Sequence, residues 1–346
     1  MSKKDLNVLK LKKKFSLNDR TIQIYNNFKT SLNKSLKSQP FLVGVSGGPD
    51  SLALTVLSYI YSKEKKSKVY YVLVNHNIRN NSSKEAAQVK KLLQRKRIQL
   101  SILTNKKLIK SNIQKQAREI RYNLLLNFCK KKKIKYILTA HHRDDQIETF
   151  LIRLSRGSGV QGLSSMKKVS KINSNIKLVR PLLDEKKKHL VSISKDAFKK
   201  VFKDPSNYND KFLRTKIRNL KKQFNKNGIK DNQILKSIQN LASTRDTLNE
   251  YLNKVFKSCI LKKKNKIFIK NSIFFLESKE IQLKILSSII KNISKNYYPP
   301  RSKKVLSLLS QINNNKDIKR TLGGCVIQNI DNKTLVYKEA PFKKKY

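Results

Sequence analysis

From residue 40 the chain alternates short runs of β-branched and aromatic residues with longer amphipathic stretches. Phe41 to Val45, Val69 to Val74, Ile98 to Leu103 and Ile134 to Thr139 are strand-like, and helical patterns lie between them. Alternation of this kind implies βαβ units and a parallel sheet. The clearest helix precedes the fourth strand, where Ile113, Ala117, Ile120, Leu124 and Phe128 recur at spacings of three and four as one apolar stripe. The basic run Lys130 to Lys133 ends it, favourably placed against the helix dipole.

After residue 163 the pattern loosens through Arg180-Pro181-Leu182-Leu183 and the turn-prone Asp204-Pro205-Ser206-Asn207, and helical periodicity returns near residue 211. We place the domain boundary at 220/221. Beyond it the pattern reads as helix over 231–258, a strand pair around Ile267 to Leu276, helices over Ile281 to Ile293 and Ser302 to Ile312, and a terminal hairpin. In that hairpin Cys325 to Ile330 and Thr334 to Tyr337 flank the turn Asp331-Asn332-Lys333. The expected class is α/β: a doubly wound, mainly parallel sheet over 1–220, followed by a smaller helical and mixed α/β domain over 221–346. No internal repeat is visible.

Composition sharpens the functional side. Among 346 residues, 79 Lys and Arg stand against 22 Asp and Glu, a net charge of +57 that draws in polyanions, with nucleic acid first among them. Lys, Asn and Ile are all abundant, so part of the excess reads as solvated decoration. The start, Met1 to Leu17, offers no apolar core of a signal peptide, and no run approaches a membrane span. Cys129, Cys259 and Cys325 lie far apart with no CxxC pair, so we expect a reduced, soluble, cytoplasmic protein with no membrane partner.

Directly after the first strand comes Ser46-Gly47-Gly48-Pro49-Asp50-Ser51, leading into Leu52, Leu54, Val56 and Leu57. A strand, a Gly-rich turn and a helix start make an anion cradle, in which backbone N–H groups close on phosphate oxygens. Ser46 and Ser51 add hydroxyl donors, and Asp50 makes best sense as a magnesium ligand beside phosphates. The loop is not a Walker A, since that spacing and its lysine are missing. An ordinary βα turn with Asp50 set against the helix dipole is the plainer alternative.

This SGGxDS resembles the PP-loop of the ATP pyrophosphatase superfamily, whose members cleave ATP between the α and β phosphates to adenylate a substrate. Further motifs follow in order: Val74-Asn75-His76 to Arg79, Gln116 to Tyr122, His141-His142-Arg143-Asp144-Asp145-Gln146-Ile147-Glu148-Thr149, Arg156 to Leu163, and Arg180-Pro181-Leu182-Leu183. The ordered set resembles tRNA(Ile)-lysidine synthetases. The resemblance implies an ATP- and Mg2+-dependent ligase that activates C2 of the wobble cytidine of a CAU-anticodon isoleucine tRNA. The side-chain amine of free L-lysine then displaces AMP, and the tRNA changes from methionine to isoleucine identity. The coverage is dense from about residue 41 to 220. Asn77 stands where the family commonly has Gly, and Thr215-Lys216 replaces a more usual Asn-Arg.

The resemblance carries roles onto particular residues. Ser46, Gly47, Gly48, Pro49, Asp50 and Ser51 bind the pyrophosphate portion of ATP, with His76 lining the same pocket at the carboxyl edge of the sheet. At about 100° per residue, Asp145, Glu148 and Thr149 share one side of a helix and Ile147, Phe150, Leu151 and Leu154 the other, so the acids are expected to face a crevice. There Asp145 and Glu148 hold lysine, and one of them could take a proton from the attacking amine. The bland alternative is a capping-box pair at a helix start. Arg118 is assigned to the nucleotide and the activated base, with Arg121 in support and touching tRNA. Arg214, Lys216 and Arg218 stand among apolar residues on a helix suited to gripping tRNA phosphates.

The adjacent His141 and His142 point to opposite sides of a strand end, which argues against zinc and leaves one of them for the nucleotide pocket. Gly157 to Gly162 matches GxGxxG but follows a helix, so it reads as a helix stop and a flexible loop. A PP-loop tRNA thiolase, a small-molecule amide synthetase and a non-catalytic basic RNA-binding module remain as rivals. The oligomeric state is open, a homodimer being one option.

Overall fold

The computed structural model describes residues 14–15, 18–78, 81–105, 113–199, 213–263, 266–294, 299–314 and 317–340. Arg79, the turn at 204–207, and Lys211 with Phe212 lie outside them. The chain forms two compact units, Met1–Leu241 and Ala242–Tyr346.

In the first unit β1 (Phe41–Val45), β2 (Val69–Asn75), β3 (Leu100–Thr104), β4 (Tyr136–Leu138) and β6 (Lys177–Val179) run parallel, and β5 (Val169–Lys171) closes the edge antiparallel to β6. The order is β3-β2-β1-β4-β6-β5. The chain leaves β1 toward one edge and returns to its other side at β4, so a crevice opens beyond the carboxyl ends of β1 and β4.

Side chains alternate across this sheet because strand residues point to opposite faces in turn. Phe41, Val43 and Val45 join one core with Leu52, Leu57, Tyr61, Leu93 and Leu190, while Leu42 joins Val72, Leu125, Cys129 and Ile137 in the other. The first core is covered by α1 (Asp19–Leu36), α2 (Pro49–Glu64), α3 (Ser82–Gln94) and α7 (Lys187–Phe198), and the second by α4 (Ile113–Lys131). Two of these helices, α1 and α7, are additions to the pattern read from the sequence. Asn18 caps α1 by accepting from the Thr21 N–H at 2.9 Å, and Ile24, Tyr25, Phe28, Leu32 and Leu36 give it a buried stripe.

A smaller core joins α5 (Arg143–Leu154), α8 (Leu213–Lys226) and the start of α9 (Asp231–Cys259) through Ile147, Leu151, Ile217, Ile234 and Ile238. Because α8 buries Ile217 against α5, it belongs with the first unit. The division therefore falls at 241/242 inside α9, later than the 220/221 read from the sequence.

The second unit has an antiparallel sheet of β7 (Ile260–Lys263), β8 (Lys266–Lys270), β9 (Lys319–Leu322), β10 (Cys325–Ile330) and β11 (Lys333–Lys338), ordered β7-β8-β11-β10-β9. It packs on α10 (Asn271–Phe274), α11 (Lys279–Ser294) and α12 (Ser302–Asn314) through Phe274, Ile285, Leu286, Ile289, Val305 and Leu309. At the hairpin tip Asp331 and Asn332 have φ of 45° and 56°, the pair of left-handed residues that a tight two-residue turn needs. The strand pair lies earlier than the sequence suggested, because the chain turns into α10 at Asn271. No described helix is long and apolar enough to cross a membrane.

Candidate active site

The loop after β1 is shaped by its own residues. Gly47 has φ +85°, a backbone conformation that a side chain would strain. Ser51 is buried and ties the loop together: its Oγ accepts from the Ser46 N–H at 3.1 Å and donates to the Gly48 carbonyl at 2.9 Å, with Ser46 Oγ also 3.1 Å away. Gly48 sits at the N-cap of α2 with no side chain to cap it, and Pro49 follows as the first helical residue. The amides of this first turn are left for an outside acceptor, as an anion cradle requires.

Asp50 extends from that turn toward the β4 end. Its Oδ2 lies 3.5 Å from Nε2 of His142, and its Oδ1 is buried without a hydrogen-bond partner. His142 is the N-cap of α5. The Asp145 N–H points to His142 Nδ1 at 3.4 Å, and Asp145 Oδ2 accepts from the His142 N–H at 3.0 Å, a reciprocal capping box. With Nδ1 accepting, the ring proton is left on Nε2, which is also 3.5 Å from Asp145 Oδ2. One imidazole therefore joins the acid of the phosphate loop to the acid of α5. Burial pushes its pKa down, but the hydrogen bond to Asp50 and the charges of Asp145, Asp50 and Asp144 outweigh this and hold it above the usual histidine value. The neighbouring His141 bonds Thr139 Oγ1 at 2.9 Å and is pushed down to about 4, first by burial, with Arg180, Arg214 and Arg118 reinforcing it against Asp145.

Glu148 departs from the expectation of an open crevice. It is only 3% exposed, and α8 lies over it. Arg218 Nε donates to its Oε1 at 2.6 Å and Arg218 NH2 to its Oε2 at 3.4 Å. Arg214 stands further off, with Nε 3.6 Å from Glu148 and NH2 4.0 Å from Asp145. These two arginines, expected on tRNA phosphates, are turned onto the acids because α8 packs directly on α5. A second set of contacts secures that packing: Lys221 bridges Asp144 at 2.5 Å and Asp231 at 2.9 Å, and Arg143 donates to Asn232.

Residues 19–223 match the family described as the PP-loop domain. The tRNA(Ile)-lysidine synthase of Wolbachia pipientis wMel is 36% identical over 303 residues, which is 86% of this chain and 70% of that protein. That of Rickettsia felis is 33% identical over 334 residues, 91% of this chain and 74% of that protein. The chain belongs to the tRNA(Ile)-lysidine synthase family. Its fold is also that of a solved U34-tRNA thiolase from Methanococcus maripaludis, with a TM-score of 0.53 and 19% identity over 65% of this chain and 81% of that one. The likeness is one of fold. Here Cys129 is buried in the first unit and Cys259 and Cys325 in the second, and burial pushes all three thiols up, Cys129 to about 12.

The other residues expected at the site lie after β2, on α4 and on α8. His76 follows β2 with its Nδ1 buried and unpaired, and burial, then the charge of Arg121, pushes its pKa down. Asn77 adopts φ +54° and its N–H bonds Asn75 Oδ1 at 3.0 Å. Asparagine tolerates the left-handed region, which explains how it replaces the usual Gly. Arg118 and Arg121 lie over the Tyr122 ring, 5.1 and 5.8 Å from its centroid, and Lys216 is exposed on α8.

The Gly-rich stretch after α5 is fastened rather than loose. Arg153 donates to the carbonyls of Gly162 at 2.6 Å and Ser165 at 3.1 Å, and Gln146 pairs with both the N–H and the carbonyl of Met166. Within it α6 (Val160–Leu163) starts at Gly159. Sequence reasoning missed His142 as the link between the two acids, and missed Gln146 and Arg153. For His142 the adjacency to Asp144 and Asp145 at a strand end was the available signal.

Proposed function

We propose that this protein ligates L-lysine onto C2 of the wobble cytidine of an isoleucine tRNA with a CAU anticodon, using ATP. The carrying observation is the single imidazole of His142 that spans Asp50 and Asp145 at 3.5 Å each. It brings the phosphate loop and the α5 acids into one crevice. In the first step O2 of the cytosine attacks the α-phosphorus and pyrophosphate leaves. In the second the neutral side-chain amine of lysine attacks C2, AMP leaves, and the amine loses its proton.

The amides and hydroxyls of Ser46 to Ser51 receive the pyrophosphate portion, where charge grows as it departs. The buried, uncommitted Oδ1 of Asp50 suits a hard cation beside phosphates, so Asp50 would hold Mg2+. Bound there, the ion would neutralise phosphate charge. His76 and Arg118 border the nucleotide and the base, Asp145 and Glu148 receive lysine, and Arg121 with exposed Lys216 and the +57 charge favours RNA. A cytoplasmic location fits a tRNA substrate.

The test is incubation with ATP, magnesium, labelled lysine and either CAU-anticodon isoleucine or methionine tRNA transcript, followed by nucleoside digestion. Stable label in the isoleucine transcript alone, lost in Asp50→Ala and Asp145→Ala, is expected. Pyrophosphate release without label from folded protein rejects lysine as the nucleophile.

A further inference from the structure

We propose that Asn75 and Asn105 are positioning residues for the nucleotide: together they pin the peptide bond between His76 and Asn77, and so hold the His76 imidazole beside the phosphate loop. The inference rests on the ATP-using reading above and says how the loop after β2 keeps the shape that ATP meets.

The placement comes from the sheet. Parallel pairing sets Val45, the last residue of β1, beside Leu73, and sets Asn75 beside Thr104, so β1 and β2 deliver the phosphate loop and His76 to the same edge. One residue beyond β3, the Asn105 N–H continues the ladder by donating to the Asn75 carbonyl at 2.8 Å. That bond brings the Asn105 side chain to the next carbonyl along, where its Nδ2 donates to the oxygen of His76 at 3.2 Å. The Asn77 N–H donates to Asn75 Oδ1 at 3.0 Å, and Asn75 Nδ2 donates in turn to Ser83 Oγ at 3.0 Å. Both polar groups of the His76–Asn77 peptide are therefore held by buried amide side chains, 4% exposed for Asn75 and 5% for Asn105.

Two features set this pinning apart from ordinary loop bonding. Asn77 is held at φ +54°, a left-handed conformation that strains a residue with a side chain and persists where its surroundings impose it, as they do around ligands. While the main chain is bonded, His76 Nδ1 is buried with no hydrogen-bond partner among the described residues. The asparagines are spent on the backbone and the ring nitrogen is left uncommitted. Burial, and then the charge of Arg121, favours the neutral ring, which can both donate and accept toward a nucleoside's hydroxyls or base edge.

The experiment measures KM for ATP, KM for L-lysine and kcat with the full chain, magnesium and isoleucine tRNA transcript. Asn105→Asp keeps the shape of the side chain but sets an acceptor against the His76 carbonyl. If the pinned conformation then falls to one molecule in about ten, KM for ATP rises about tenfold, and KM for lysine stays within about twofold of wild type. Asn77→Val disturbs the same peptide from an exposed position, because a β-branched residue resists positive φ, and should raise KM for ATP likewise; Asn77→Gly should leave it unchanged. His76→Ala should raise it too, and adding Asn105→Asp to that variant should change it by less than about twofold, since the asparagine acts through the ring. A merely structural role would lower Tm and kcat and leave KM for ATP alone. The inference is overturned if either Asn105→Asp or Asn77→Val, once folded, keeps the wild-type KM for ATP, or if the effects of Asn105→Asp and His76→Ala multiply. Wild-type protein that releases no pyrophosphate from ATP with tRNA would instead overturn the ATP-using reading beneath it.

Discussion

Replacing Arg218 with Met removes both hydrogen bonds to Glu148 and leaves a carboxylate that is 3% exposed facing an apolar neighbour. Breaking a buried ion pair by deleting one partner costs about 3–5 kcal/mol. Arg214 at 3.6 Å remains, but a half-exposed pair returns only about 1 kcal/mol, so the expected loss is about 2–4 kcal/mol. In a chain of this size that lowers Tm by about 5–15 °C. Urea unfolding followed by circular dichroism measures it, and the double variant Arg218→Met/Glu148→Leu completes the cycle. The double variant should recover most of the loss, with a coupling of about 2 kcal/mol, because no charge is left stranded. A single-variant loss below about 0.5 kcal/mol, or a double variant no better than the sum of its parts, would refute the argument that Glu148 depends on Arg218.

Three further outcomes follow from the same geometry. Burial raises the Asp144 pKa, but the Lys221 hydrogen bond and the Lys187 N–H outweigh it and hold the folded value below 3.8. Its contribution is thus present at neutral pH and lost as pH falls through that depressed value, so Lys221→Met should flatten the acid limb of a urea-midpoint profile below about pH 5. Gly47→Ala forces a side chain into φ +85° and should cost about 1–2 kcal/mol in urea unfolding while raising the Kd for ATP measured by calorimetry. Cys129 is fully buried with its thiol pushed up to about 12, so native protein should resist iodoacetamide at this residue and label once unfolded, as read by peptide mass spectrometry.

The parallel core of the fold was legible because its strands are buried on both faces and flanked by turn chemistry: Phe41 to Val45 emerges with the bounds the pattern assigned. Strands such as Lys177–Val179 escaped notice because three residues carry too little periodicity to register. Helix α1 has a regular stripe, but its apolar positions alternate with Asn and Lys in a segment whose neighbours are overwhelmingly polar. The loop residues Ser46 to Ser51 could be read directly, since glycines and hydroxyls at a strand-to-helix turn have few other uses. What stayed hidden was pairing across long separations. Nothing in the local pattern says that Arg218 meets Glu148 rather than solvent; that depends on Ile217 docking against Ile147, which tertiary packing decides.

The fastening of the stretch between α5 and β5 bears on how this region can vary through descent. Arg153 and Gln146 reach main-chain atoms of Gly162, Ser165 and Met166, so what they recognise is the path of the backbone and not the identity of the residues along it. An exchange at Val160 leaves those main-chain contacts intact, whereas a change at Arg153 or Gln146 removes its bonds to the segment. The path of this segment is thereby inherited largely through two positions on α5, Gln146 and Arg153.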